Sequence, residues 1–158
     1  MNIIFLDYDG VVNTIMFEQD ESDPRYCHPI DNKVNNYQAV KWIEKLCKET
    51  SSSIVISSSW RFSSNYKECL YNGGLSRDIE ILGKTPRLHG HDRGNEIQKW
   101  LDDNTHLGIE QFVIIDDDND MAHLMDRLIR CDTRLGFDIG EYNEAKKLMG
   151  FFSPLKRD

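Results

Sequence analysis

Three short apolar runs, each breaking off into residues able to do chemistry, constrain this chain more than any other feature. Residues 2–6 (Asn-Ile-Ile-Phe-Leu) lead into Asp7-Tyr8-Asp9, residues 53–56 into Ser57-Ser58-Ser59, and residues 112–115 (Phe-Val-Ile-Ile) into Asp116-Asp117. Runs of this length, rich in β-branched residues, read as strands buried on both faces. Between them the spacing turns helical. Val34, Tyr37, Val40, Ile43 and Cys47 recur every three or four residues and predict a helix over 32–49, and Ile97, Trp100 and Leu101 predict another over 93–102. Residues 121–128 read as helix, 129–132 as a weaker strand and 142–149 as a final helix. Gly73-Gly74 and Lys84-Thr85-Pro86 are breaker signals, so residues 60–91 are expected to form loops with one or two short helices.

Strands alternating with helices predict an α/β fold: a three-layer, Rossmann-like parallel sheet with helices on both faces. The 158 residues suit one domain, taken as residues 1–158, with a single sizeable core. In such sheets ligands sit beyond the carboxyl ends of the strands, near the point where strand order reverses. All three chemistry-bearing strings stand at predicted strand ends, so the fold argument alone brings them together.

Composition narrows the function. The net charge is −8, from 19 basic and 27 acidic residues, which argues against a broad nucleic-acid footprint but leaves room for a local basic rim. No apolar run approaches the roughly 18 residues of a membrane span, and the apolar start has no basic region ahead of it, so it reads as a strand rather than a signal peptide. Cys27, Cys47, Cys69 and Cys131 form no C-x-x-C pair; they read as reduced, mostly buried thiols of a cytoplasmic protein. His28, His89, His91, His106 and His123 show no metal-site spacing. Trp42 and Trp100 read as core-facing helix residues.

Asp7 and Asp9 lie two apart after the first strand, with Gly10 allowing a sharp backbone departure. One carboxylate can attack phosphorus to form an aspartyl-phosphate, while a second protonates the leaving oxygen and then takes a proton from water. On its own, D-x-D is equally a pair of solvated loop aspartates, the triple serine a polar turn, and Asp116-Asp117 an acidic loop before a helix. Two adjacent carboxylates are, however, a hard oxygen donor set of the kind Mg²⁺ takes.

The longer string Phe5-Leu6-Asp7-Tyr8-Asp9-Gly10-Val11-Val12-Asn13 resembles the first signature of the haloacid-dehalogenase-like (HAD) phosphohydrolase superfamily. Ile54-Val55-Ile56-Ser57 is similar to its second signature and Asp116-Asp117 to its fourth. The resemblance implies Asp7 as nucleophile, Asp9 as acid/base, and Ser57 (or Ser58, if the strand runs one further) holding a phosphoryl oxygen. It implies Mg²⁺ held by Asp7, Asp116, Asp117 and the backbone carbonyl of Asp9, with Asp120 behind them and Asp118 solvated. For the basic residue of the third signature, Arg93 in Arg93-Gly94-Asn95-Glu96-Ile97 is preferred to its rival Lys84. Arg61 is a further candidate for forking onto a phosphate, with a surface role covering Trp60 as the alternative. The strings Ser-Ser-Ser-Trp-Arg, Thr85-Pro86 and Arg-Gly-x-Glu-Ile together resemble a compact subgroup found as modules in RNA-repair proteins.

Too few residues separate Asn13 from the helix near Asn32 to form a substantial cap domain. The expectation is therefore a nearly capless, Mg²⁺-dependent phosphomonoester hydrolase with an open site, suited to phosphate on a large partner such as a polynucleotide end. A nucleotide or small-metabolite phosphatase, shielded by residues 17–30, is the second reading. A non-catalytic Mg²⁺-binding interaction module is the third.

Overall fold

The structure is a computed structural model and describes residues 1–14 and 32–151. Its centre is a parallel sheet of β1 (Asn2–Leu6), β2 (Ser52–Ile56), β3 (Ile81–Lys84), β4 (Gln111–Asp116) and β5 (Leu128–Arg130), in the order β3-β2-β1-β4-β5. The chain builds outward from β1 to β2 and β3, then returns to the other side of β1 with β4 and β5. Strand order therefore reverses between β1 and β4, which pair in register from Asn2↔Gln111 to Leu6↔Ile115. The crevice for a ligand opens where such a reversal occurs.

Alternation along the strands divides the core in two. Ile4, Leu6, Ile54, Ile56, Val113 and Ile115 face α1 (Tyr37–Thr50), α2 (Tyr66–Asn72) and α4 (Ile139–Leu148). Ile3, Phe5, Val55 and Ile114 face α3 (Arg93–Asp103) and the short 3-10 stretch Ala122–Arg127. Because both faces are covered, the strands carry unbroken apolar runs, as the sequence shows. The α/β architecture with a layer on each face is the one expected, and no cap domain stands among the described residues. No helix among them is long and apolar enough to cross a membrane.

Several boundaries differ from expectation. β3 lies inside the stretch read as loop; only four residues long, glycine-containing and shifted in register against β2 between Ile54 and Val55, it offers no periodicity to read. α1 starts at Tyr37 rather than near residue 32, because the Asn36 side chain caps it by accepting from the Ala39 N–H. The segment read as a helix over 121–128 is 3-10 with a kink at Leu124, and β5 precedes the predicted weak strand by a residue. α4 starts at Ile139, where Asp138 and Glu141 form a reciprocal capping box. Trp100 is buried, Trp42 packs partly buried against the core, and Cys47, Cys69 and Cys131 are free and buried. Cys27, His28 and residues 17–30 lie outside the described residues.

Candidate active site

β1 and β4 deliver the acidic residues. The Asp7 N–H continues the ladder onto the Ile115 carbonyl at 3.0 Å, placing Asp7 beside Asp116 at the end of β4. The backbone then turns sharply, with the Tyr8 carbonyl accepting from Val11, Val12 and Asn13. Gly10 takes φ +77° in this turn, and a Cβ there would stand 2.2 Å from an Asp117 carboxylate oxygen. Only glycine allows the loop to close on Asp117.

One carboxylate oxygen from each of Asp7, Asp116 and Asp117 lies within 4.8 Å of the others. Asp7 and Asp116 are buried and Asp117 partly so. Burial pushes the Asp7 carboxyl well above its usual pKa, and the neighbouring Asp116 and Asp117 charges add to the rise. Burial raises Asp116 as well, against the pull of Arg93. Crowded, desolvated carboxylates of this kind are what a hard divalent cation offsets, so the donor set fits Mg²⁺.

Arg93, the first residue of α3, answers the acidic group. Its Nη1 stands 2.9 Å from Asp116 Oδ2 and 3.2 Å from Asp7 Oδ1. Burial opposes its charge, but Asp7 and Asp116 outweigh that and hold it more firmly protonated than usual. Gly94 explains how α3 reaches this position: a Cβ there would meet the Met121 carbonyl oxygen at 2.0 Å. The helix start is tied down by the Gly94 N–H on the Asp120 carbonyl and by the Arg93 N–H on Asp120 Oδ2. Asp120 thus supports Arg93 from behind. Asp118 is exposed, and its carboxylate accepts from the Asn119 N–H.

Asp9 is held by two side-chain donors. Its Oδ1 accepts from Asn13 Nδ2 at 3.0 Å and its Oδ2 from the Trp60 indole N–H at 2.8 Å. Ser57 follows β2, with its N–H on the Leu6 carbonyl, and its buried Oγ meets no partner among the described residues. An unanswered buried hydroxyl is costly unless a ligand completes it. Ser58 Oγ instead accepts from the Trp60 N–H, making a cap of a 3-10 turn over Ser59–Phe62.

Arg61 and Lys84 are engaged in architecture. Buried Arg61 donates from Nε to the Thr85 carbonyl, from Nη1 to the Ser58 carbonyl and from Nη2 to both oxygens of buried Glu96 on α3. Burial lowers its pKa, and Glu96 counters that effect. Lys84 Nζ donates to the Arg61 carbonyl at 2.9 Å and lies over the Tyr66 ring. Arg61 is thus buried with its donors on protein acceptors, whereas Lys84 is an exposed residue whose ammonium reaches the Arg61 carbonyl.

Sequence reasoning passed over Asn13, Trp60, Thr133 and Glu96. Thr133 Oγ1 donates to Asp117 Oδ2, and Glu96 anchors Arg61. For Asn13, Trp60 and Glu96 a signal existed, because all three stand inside strings already singled out. Thr133 carries none.

A parallel α/β sheet with an acidic cluster at its switch point and a basic helix start beside it defines a HAD-like domain. The chain belongs to the family described as the HAD domain in Swiss Army Knife RNA repair proteins, which matches residues 3–140. No curated protein and no solved structure matches it. The family points to phosphohydrolase chemistry, and HAD domains generally use Mg²⁺.

Proposed function

We propose that this domain hydrolyses phosphomonoesters through an aspartyl-phosphate on Asp7, with Mg²⁺ as cofactor and the phosphorylated ends of a polynucleotide as substrate. The observation carrying the reading is the convergence of Asp7, Asp116 and Asp117 with Arg93 at the β1/β4 switch point. Asp7, Asp116 and Asp117 would hold Mg²⁺, whose chemistry there is to neutralise the charge of carboxylate and phosphoryl oxygens.

In the first step Asp7 Oδ attacks phosphorus, the bond to the leaving oxygen breaks, and Asp9 supplies that oxygen with a proton. In the second, Asp9 takes a proton from water, the water oxygen attacks phosphorus, and the bond to Asp7 breaks. Inorganic phosphate leaves and both carboxyls return to their starting states. Ser57 Oγ and the Arg93 guanidinium orient and neutralise the transferring oxygens, so positioning and electrostatics carry most of the catalysis. The polynucleotide substrate follows from the family's description and from the lack of a cap among the described residues.

The direct test is phosphate release from an aryl phosphomonoester, with Mg²⁺ or EDTA, for wild type and Asp7→Asn. Release that needs Mg²⁺ and falls at least about a thousandfold in the variant is expected. Substantial turnover by folded Asp7→Asn would falsify the nucleophile assignment. End-phosphorylated oligonucleotides set against mononucleotides and sugar phosphates then decide between polynucleotide and small-metabolite substrates.

A further inference from the structure

Asp9 carries the most demanding task of the proposed mechanism, since it must hold a proton for one atom and later accept one from another. Its side chain is gripped from two directions. Asn13 Nδ2 reaches Oδ1 from the far side of the β1 turn, and the Trp60 indole N–H reaches Oδ2 from the turn after β2. Both donors are themselves anchored. Asn13 Oδ1 accepts from the Asn35 N–H, while the Asn13 carbonyl accepts from the Gly10 N–H. Trp60 is 8 % exposed, its ring lies 6.2 Å from that of Tyr8, and its own N–H is capped by Ser58. The next residue is Arg61, whose guanidinium bolts this turn to the Thr85 carbonyl and to Glu96 on α3.

We infer that Trp60, with Asn13, is a positioning residue that fixes the plane of the Asp9 carboxyl and so directs its proton toward the leaving oxygen. The inference rests on the phosphohydrolase reading and goes beyond it. The chemistry of the two donors supports it. An indole N–H and an amide NH₂ donate and cannot accept. Neither competes as an acceptor for the proton that the proposed mechanism assigns to Asp9. A serine or water in the same place could take the proton as an acceptor, and the carboxyl would lose its direction. Two donors from different elements also resist rotation of the carboxyl, a preorganisation that counts when chemistry tolerates little misplacement. Arg61–Glu96 extends the effect, because the same buried pair links the Trp60 turn to the helix that starts with Arg93. The acid/base and the basic residue are thereby set relative to one another.

A general acid matters most when the leaving oxygen is strongly basic, and kcat/KM reports only the step in which that oxygen departs. The experiment compares kcat/KM for 4-nitrophenyl phosphate and phenyl phosphate across wild type, Trp60→Phe and Asp9→Asn. Phenylalanine keeps an aromatic ring and removes the N–H. Trp60→Phe is expected to lose at least about tenfold more on phenyl phosphate than on 4-nitrophenyl phosphate, in the same direction as Asp9→Asn. Equal losses on both esters overturn the inference and leave Trp60 as packing. A second readout needs no turnover: the indole N–H resonance of Trp60 should move on Asp9→Asn while those of Trp42 and Trp100 stay. An unmoved Trp60 resonance overturns the contact itself. Failure of the phosphohydrolase reading would show separately, as no phosphate release from either ester by folded wild type with Mg²⁺.

Discussion

The two halves of the sheet's carboxyl end treat their charges in opposite ways. At the ends of β1 and β4, among the described residues, Asp7, Asp116 and Asp117 cluster with Arg93 on the first two, and burial together with mutual repulsion raises Asp7 and Asp116. At the ends of β2 and β3, by contrast, the buried arginine is answered within the protein: Arg61 by Glu96 and two carbonyls. Both halves carry an arginine next to a sequence string that looks functional. The lesson is that a cation's role follows from whether its donors are already occupied. Arg93 meets an excess of negative charge, whereas Arg61 meets a matched set of acceptors and serves as a brace.

Substituting each arginine by methionine would break this contrast if it is wrong. Arg61→Met leaves the buried Glu96 without its countercharge, which costs about 3–5 kcal/mol and lowers Tm on the order of 10 °C. Arg93→Met is expected to do its main damage to turnover, about a hundredfold in kcat, with the smaller change in Tm. Calorimetry beside an activity assay separates them, and the opposite pattern would exchange their roles. A third variant sharpens the acidic side. Asp117→Asn removes one of three crowded charges, so metal-free protein should gain about 1 kcal/mol and a few degrees in Tm. The same variant should lose most of the stabilisation that Mg²⁺ gives wild type, read by thermal shift with Mg²⁺ or EDTA.

The smallest effect lies far from the site, between α1 and α4. Burial works against the Glu49 charge, but hydrogen bonds from Lys146, Lys45 and Tyr142 outweigh it and lower its pKa to about 2. A carboxyl lowered in the folded state stabilises the fold fully above the ordinary carboxylate range, and that contribution fades as pH falls toward 2. Glu49→Gln should therefore melt slightly below wild type at pH 6, with the gap closing toward pH 2.5. A gap that widens in acid would contradict the sign. Carboxylates in these two regions are thus displaced in opposite directions: Asp7 and Asp116 upward by burial and crowding, Glu49 downward by its hydrogen bonds.

The sequence by itself determined the three central strands, the helices α1 and α3 and the acidic strings at the strand ends. Each rests on a local pattern: a buried strand needs a continuous apolar run, an amphipathic helix a 3.6-residue period, and the Gly10 turn a residue free at positive φ. Even the capping box of α4 was there to be read, in Asp138 and Glu141. What only the tertiary structure decided is which side chains already have partners. Glu96 lies 35 residues from Arg61, and Trp60 lies 51 from Asp9. β3 likewise became a strand only by pairing with β2, having no pattern of its own. Local periodicity encodes what an element buries, while the satisfaction of a donor or an acceptor depends on where distant segments come to rest.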